Sequence, residues 1–150
     1  MCIRDSKSYY SRMGGNKTIG FDNSVFLSEK HHADRNMSLA YYMRENKAFG
    51  EINPNEIAES LDLYYQQCSA TITFEIGAII AYTLANGGIC PTTDEEVVSK
   101  ESVMDCLTLM YNCGIYDYSG QFSFEVGLPA KSGVSGCILL VIPNLSLIHI

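Results

Sequence analysis

Clustered positive charge is what this sequence most clearly lacks. Ten Lys and Arg stand against 17 Asp and Glu, giving a net charge of −7, and the basic residues are scattered. Nucleic-acid surfaces need grouped Lys and Arg to displace counterions, so the charge balance argues against a nucleic-acid partner. Paired metal-type cysteines are missing too: six cysteines are present, none in C-x-x-C spacing. Once Cys2 is set aside with the terminus discussed below, Cys68, Cys90, Cys106, Cys113 and Cys137 remain, an odd number with no pairing pattern. They read as reduced, mostly buried residues of an intracellular protein. No metal signature occurs, because His31 and His32 are neighbours and cannot face one another on a helix. "GGNKTIG" has glycines and a lysine but not the order of a phosphate loop. The apolar run "CILLVI" is too short to span a bilayer, which speaks against a membrane partner, and there is no repeat or low-complexity tract.

The ends are unusual. Codons allowed for the closing "LSLIHI" (CTG TCT CTT ATA CAC ATC) have a reverse complement containing ATG TGT ATA AGA GAC AG, which reads through the opening "MCIRD". Natural termini have no reason to be mutually reverse-complementary, whereas a sequencing-library transposon end, present once at each junction, has one. Residues 1–6 and 145–150 are therefore expected to be translated adapter and are set aside from fold reasoning, together with His149. Residues 7–144 are expected to form part of one domain, an internal fragment, so a missing leader says nothing about location.

Within 7–144 the pattern is helical first and extended last. Residues 22–50 read as a short helix, capped by Asp22 or Asn23, and a longer one with Met37, Ala40, Tyr41 and Met43 on its apolar stripe. Asn53 and Pro54 are a good N-cap and first helical residue, after which Ile57, Leu61, Tyr64, Tyr65 and Cys68 share a face. "TFEIGAIIAYTLANGG" is apolar almost all round, a buried central helix stopped at Asn86-Gly87-Gly88. Thr93 with Glu96 is a candidate capping box for a further helix whose face is Val103, Cys106, Leu107 and Met110 and whose stop is Gly114. Beyond Gly114, Phe122, Phe124 and Val126 alternate as in a strand, and "CILLVI" reads as a second strand. "GLPAKSGVSG" between them would join an antiparallel pair. Helices beside an antiparallel sheet give an α+β class.

Few residues offer chemistry. Glu29 and Asn36 are seven apart, which places them on one side of a continuous helix. A carboxylate beside an amide suits an amino-acid zwitterion, accepting from its ammonium and donating to its carboxylate. Tyr116 follows a glycine at a helix-to-strand corner, where a packed corner tyrosine is the plainer reading. Lys131, Ser132 and Gly133 match the Lys-Ser/Thr-Gly edge strand of penicillin-recognising enzymes. Taken alone, Lys131 reads as a solvated turn lysine.

"FLSEKHHADRN", "DLYYQQCS", "TLANGGICP", "LMYNCGIYDYSGQF" and "VGLPAKSGVSG" occur in this order, and together they closely resemble the serine-dependent glutaminases, from about Gly20 to Asn144. That family hydrolyses L-glutamine to L-glutamate and ammonia and is similar in fold to serine β-lactamases and penicillin-binding proteins. The resemblance implies an α+β fold, here a partial β-lactamase-like domain, with L-glutamine as small-molecule partner and neither metal nor organic cofactor. It further implies that the full-length protein forms homo-oligomers, dimers or tetramers, in bacterial cytoplasm or eukaryotic mitochondria.

Residue by residue, the resemblance implies that Glu29 accepts the substrate's α-ammonium, Asn36 holds its α-carboxylate and Tyr64 lines the same pocket. Tyr116 would border the reacting amide and help move the nucleophile's proton. The backbone N–H of Val134 would form half of an oxyanion hole, a donor typically worth about 3–4 kcal/mol of barrier. Lys131 and Ser132 would shape the strand edge. Cys137 stands where the family usually carries glycine. The family's nucleophile lies in Ser-x-x-Lys, and no serine here has a lysine three residues later. The chain alone is thus expected to be inactive. Two other readings stay open: a non-catalytic amino-acid-binding or interaction module on the same fold, and another acyl transferase, which Glu29 and Asn36 disfavour.

Overall fold

The computed structural model describes residues 3–143, so the expected adapter at 145–150 lies outside the described residues. The chain divides into two compact units, one comprising the segment up to Lys7 with Ile19–Thr71, the other Ser8–Thr18 with the chain from Ile72 onward. Helix α1 (Ile3–Met13) opens the chain, and its Ser6 is buried and accepts a hydrogen bond from Gln67 Nε2 at 2.8 Å.

The first unit is three helices and a two-stranded ribbon. Strands β1 (Gly20–Phe21) and β2 (Ala70–Thr71) pair antiparallel, Gly20 opposite Thr71. Asp22 caps α2 (Asn23–His31) by accepting from the N–H groups of Ser24 and Val25, as its side-chain oxygen should in an extended cap residue. Helix α3 runs Asp34–Glu45, and α4 (Pro54–Cys68) packs against both α2 and α3. The expected start of α4 is realised in full. Asn53 Oδ1 accepts from Asn55 and Glu56, and Glu56 returns a bond to the Asn53 N–H. Ile57 and Tyr65 are buried on the expected face, but Tyr64 and Cys68 turn out exposed. The Tyr65 hydroxyl has no hydrogen-bond partner among the described residues.

The second unit holds the main core. Helix α5 (Phe74–Ala85) starts at a Thr73 cap and stops at Asn86, before Gly87 and Gly88. It is buried along Ile76, Ala81, Leu84 and Ala85, while Phe74 and Tyr82 are exposed, so the apolar helix is covered on one side only among the described residues. Helix α6 (Lys100–Cys113) brings Val103 and Met110 to α5, flanked by Cys106 and Leu107, which is the face its spacing predicts. A 3₁₀ turn, Tyr116–Tyr118, leads into α7 (Ser119–Glu125). Strands β3 (Ala130–Ser132) and β4 (Ile138–Leu140) pair antiparallel with Lys131 opposite Leu139, and Val141 N–H extends the ladder to Pro129 O at 2.9 Å. Mixed helices and small antiparallel sheets make the class α+β, as expected.

Three expectations are corrected. Phe122, Phe124 and Val126 do not form a strand, because Phe122 and Phe124 lie in α7, where Gln121 Nε2 donates to Glu125 one turn on at 2.8 Å. A short alternating run fits either period, and here the side-chain pairing favours the helix. Thr93 and Glu96 form no capping box. Residues 90–97 fold into a loop held by Cys90 N–H to Glu95 O and an Ile89–Glu96 bridge, and α6 starts three residues after Glu96 on Ser99. Nor are the cysteines mostly buried: Cys90 is, Cys106 and Cys137 are half-buried, and Cys68 and Cys113 are exposed.

Gly114 is where α6 meets β3. A Cβ there would lie 1.8 Å from Ala130 O and 2.3 Å from Met110 O, both rigid backbone atoms. Gly114→Ala should therefore cost about 3 kcal/mol in urea unfolding. Gly120→Ala, whose Cβ meets nothing within 4 Å, should be neutral or gain up to about 1 kcal/mol as a helix former. Tyr65→Phe removes the orphaned hydroxyl and should raise the unfolding free energy by about 1 kcal/mol or more; a loss of stability would show that the hydroxyl is satisfied in solution.

Candidate active site

The candidate residues fall into two groups, each within one unit. In the first unit Glu29 is on α2, Asn36 on α3 and Tyr64 on α4. The continuous helix that would have put Glu29 and Asn36 on one face does not exist. α2 ends at His31, where His32 N–H closes onto Ser28 O, and α3 starts only at Asp34. The two residues are instead carried by separate helices, both of which pack against α4, and both side chains are half-buried. Next to Glu29, Lys30 forms an ion pair with Asp62, two residues before Tyr64, so α2 and α4 are tied at the level of these candidates. The Lys30 hydrogen bond holds the Asp62 carboxyl below its ordinary value. Tyr64 is 48% exposed, with its ring edge-on to Tyr65 at 5.8 Å.

The second group gathers at the β3 edge. Tyr116 has φ +50, a left-handed backbone that bulky residues rarely adopt and that costs about 1–3 kcal/mol. Its ring is 65% exposed, and Lys131 Nζ sits over it, 4.6 Å from the centroid. That spacing is a cation–π contact. Lys131 also donates to Ser132 O. Ser132 ties the strand to the end of α6, its N–H donating to Gly114 O at 3.0 Å and its hydroxyl lying 3.4 Å from the same oxygen. The structure therefore brings Tyr116, Lys131 and Ser132 together.

Val134 is at the tip of the β3–β4 turn, 94% exposed. The turn is closed by Gly136 N–H to Gly133 O at 3.0 Å and Gly133 N–H to Cys137 O at 2.8 Å. Gly136 at φ +85 supplies the backbone that lets the chain reverse there. Among the described residues the Val134 N–H makes no hydrogen bond, so it is available to an incoming acceptor.

Two tyrosines compete for the proton-moving role in "YDY", and their partners differ. Tyr118 donates its hydroxyl to Glu125 Oε2 at 2.9 Å, which raises its phenol above the ordinary value. Glu125 itself is held low by the Gln121 amide and then by Tyr118. A phenol locked neutral to a carboxylate is a poor base. Tyr116 instead carries the Lys131 ammonium over its ring face.

Sequence reasoning missed Ser119. It is buried, its hydroxyl accepts from Ile115 N–H at 2.9 Å and donates to Tyr116 O at 2.7 Å, and nothing in "YDYSG" distinguishes it from a surface serine. Gly114 carried a signal, but it was read as a helix stop rather than as a point of close approach.

A family model described as glutaminase matches residues 2–150. The mitochondrial liver-isoform glutaminase of Rattus norvegicus is 54% identical over 136 residues, covering 91% of this chain and 22% of that protein. A glutaminase of the cyanobacterium Nostoc is 45% identical over 124 residues, covering 83% of this chain and 36% of that one. Among solved structures, a Bacillus glutaminase in 4.3 M NaCl aligns with a TM-score of 0.82 at 37% identity, over 94% of this chain and 46% of that one. A probable glutaminase from Bacillus subtilis complexed with 6-diazo-5-oxo-L-norleucine aligns at 0.80 and 37% identity, over 93% of this chain and 44% of that one. The chain thus spans about a fifth of the rat relative and less than half of the bacterial structures. With the ordered motifs and the β3 edge already in place, the match over nearly its whole length means that this chain belongs to the glutaminase family.

Proposed function

We propose that this chain carries much of the substrate cradle of a glutaminase that hydrolyses L-glutamine to L-glutamate and ammonia through a serine acyl-enzyme. The observation that supports this best is the β3 edge, where a strained Tyr116 meets Lys131 beside a turn whose Val134 N–H is free to donate. The Bacillus neighbour's ligand points the same way. It is an amino acid whose 5-oxo carbonyl occupies the position of glutamine's side-chain carbonyl.

In this reading Glu29 takes the α-ammonium and Asn36 the α-carboxylate, with Tyr64 alongside. Tyr116 sits by the amide and helps move the nucleophile's proton, with Lys131 held over its ring. Val134 N–H forms half of the oxyanion hole for the tetrahedral intermediate, while Lys131 and Ser132 shape the strand edge and its local field. The serine nucleophile and its lysine come from outside these 150 residues, since the sequence holds no Ser-x-x-Lys. The longer protein would work as a dimer or tetramer, in cytoplasm or mitochondrion.

The chain alone should release no ammonia from L-glutamine above the buffer rate, because the covalent route is missing. A chain lengthened to include Ser-x-x-Lys should release it, and Tyr116→Phe in that chain should lower kcat by about 100-fold or more with KM little changed. Ammonia release by the 150 residues alone would contradict the missing-nucleophile argument. Glutamine binding without release by the lengthened chain would favour the non-catalytic binding module.

A further inference from the structure

Tyr116 keeps a left-handed backbone at φ +50 although glycine would take that conformation without strain. Something must hold it, and the strain is worth holding only where the side chain matters. Tyr118 N–H closes the turn onto Ile115 O at 3.1 Å, and the remaining groups that hold Tyr116 belong to one residue. Ser119, 5% exposed, accepts from Ile115 N–H at 2.9 Å through its hydroxyl and donates the same hydroxyl to Tyr116 O at 2.7 Å. Its own backbone N–H also closes onto Tyr116 O. Donor and acceptor roles of one buried hydroxyl thus bracket the Ile115–Tyr116 peptide from both sides.

We propose that Ser119 is a positioning residue: its buried hydroxyl locks Tyr116 in the left-handed conformation that seats the phenol under the Lys131 ammonium. The inference rests on the reading of Tyr116 as the proton-moving group and extends it to the residue that sets its geometry. A short hydroxyl side chain is required, because the same oxygen must reach two backbone groups on neighbouring residues. The adjacent carbonyl of Gly114 is bound to Ser132 N–H, so the loop is anchored to β3 one residue before the clamp begins. With β3 fixed on that side and Tyr116 fixed by Ser119, the ring and the ammonium meet without either side chain searching.

The clamp is tested by a double-mutant cycle on the 150-residue chain. Ser119→Ala alone should lower Tm by about 4 °C or more. Combined with Tyr116→Gly, which removes the need for restraint, the same substitution should lower Tm by less than half as much. Equal losses in the two backgrounds would overturn the proposal and leave Ser119 as ordinary packing. Should Ser119→Ala alone fail to fold, the double variant should fold, and its failure would count against the clamp. A second reading comes from proton NMR. The ε-methylene signals of Lys131 should lie upfield of the other lysines through the Tyr116 ring current and return to their range in Ser119→Ala. An unshifted upfield signal in that variant would also overturn the assignment. Neither measurement uses glutamine, so absence of hydrolysis in a lengthened chain would sink the functional reading while leaving the clamp intact. In a lengthened chain that does hydrolyse glutamine, Ser119→Ala should reduce kcat about tenfold with KM within twofold, the pattern of lost orientation rather than lost binding.

Discussion

The contact between Gly114 and the carbonyl of Ala130 fixes the geometry on which the second unit depends. Helix α6 can end directly against β3 only because no side chain stands between them, and the Ser132 N–H then finds Gly114 O at hydrogen-bonding distance. That single approach does two things. It buries Ala130 completely, so β3 joins the core instead of hanging as an edge, and it sets where Lys131 emerges relative to the loop that follows α6. Val141, also fully buried, closes the same layer from β4. The strand edge is therefore seated directly on the helix core behind it, which suits a preorganised set of donors that must not reorganise when charge appears.

On this fixed edge the loop stores strain in Tyr116. Strained residues survive where the surroundings over-determine them, and the surroundings here are the Ser119 hydroxyl on one side and the anchored Gly114 carbonyl on the other. The neighbouring Tyr118 shows what an unconstrained tyrosine does in the same segment. It adopts ordinary backbone, stacks edge-on with Phe122 at 6.5 Å and donates a hydrogen bond to Glu125. Two tyrosines two residues apart thus end in opposite electrostatic settings, one against a carboxylate and one against an ammonium. The backbone conformation at Tyr116, rather than the residue type, makes the difference.

What was legible in the sequence was local chemistry with a single good solution. Asn53, Pro54 and Glu56 announce a helix start because each satisfies a specific orphan group, and the structure uses all of them. The spacing of Val103, Cys106, Leu107 and Met110 defines a face regardless of what covers it. Of the expected antiparallel pair only the second strand is found as read: Phe122 and Phe124 lie in α7, and β3 falls inside the segment expected to be the connecting turn. The failures share a cause: each needed knowledge of a partner. Phe122 and Phe124 alternate as a strand would, but the segment is helical, with Gln121 and Glu125 paired one turn apart. Glu96 was free to complete a capping box until Ile89 bridged it. Glu29 and Asn36 align only along a continuous helix, and the chain breaks between them, leaving them on two helices that both pack against a third. The functional assignment itself was legible only through five ordered motifs, since no one of them carries enough chemistry.

The least conspicuous candidate shows why side-chain reasoning reaches only part of such a site. Val134 projects its side chain almost wholly into solvent, and by the usual signs of burial, charge or reactivity it has no claim to a role. Its contribution, if the edge works as an oxyanion cradle, is made by the main chain. The direction of that N–H is set by Gly136 at φ +85 and by the Gly133–Cys137 bond, neither of which involves the valine side chain. Cys137 takes part through its carbonyl as well, so a thiol where the family usually has glycine leaves the turn's hydrogen bond in place. The identity that matters along "KSGVSGC" is therefore that of the residues permitting the turn and anchoring its base. A donor made by backbone keeps its position through substitutions at its own residue and loses it through substitutions at its neighbours.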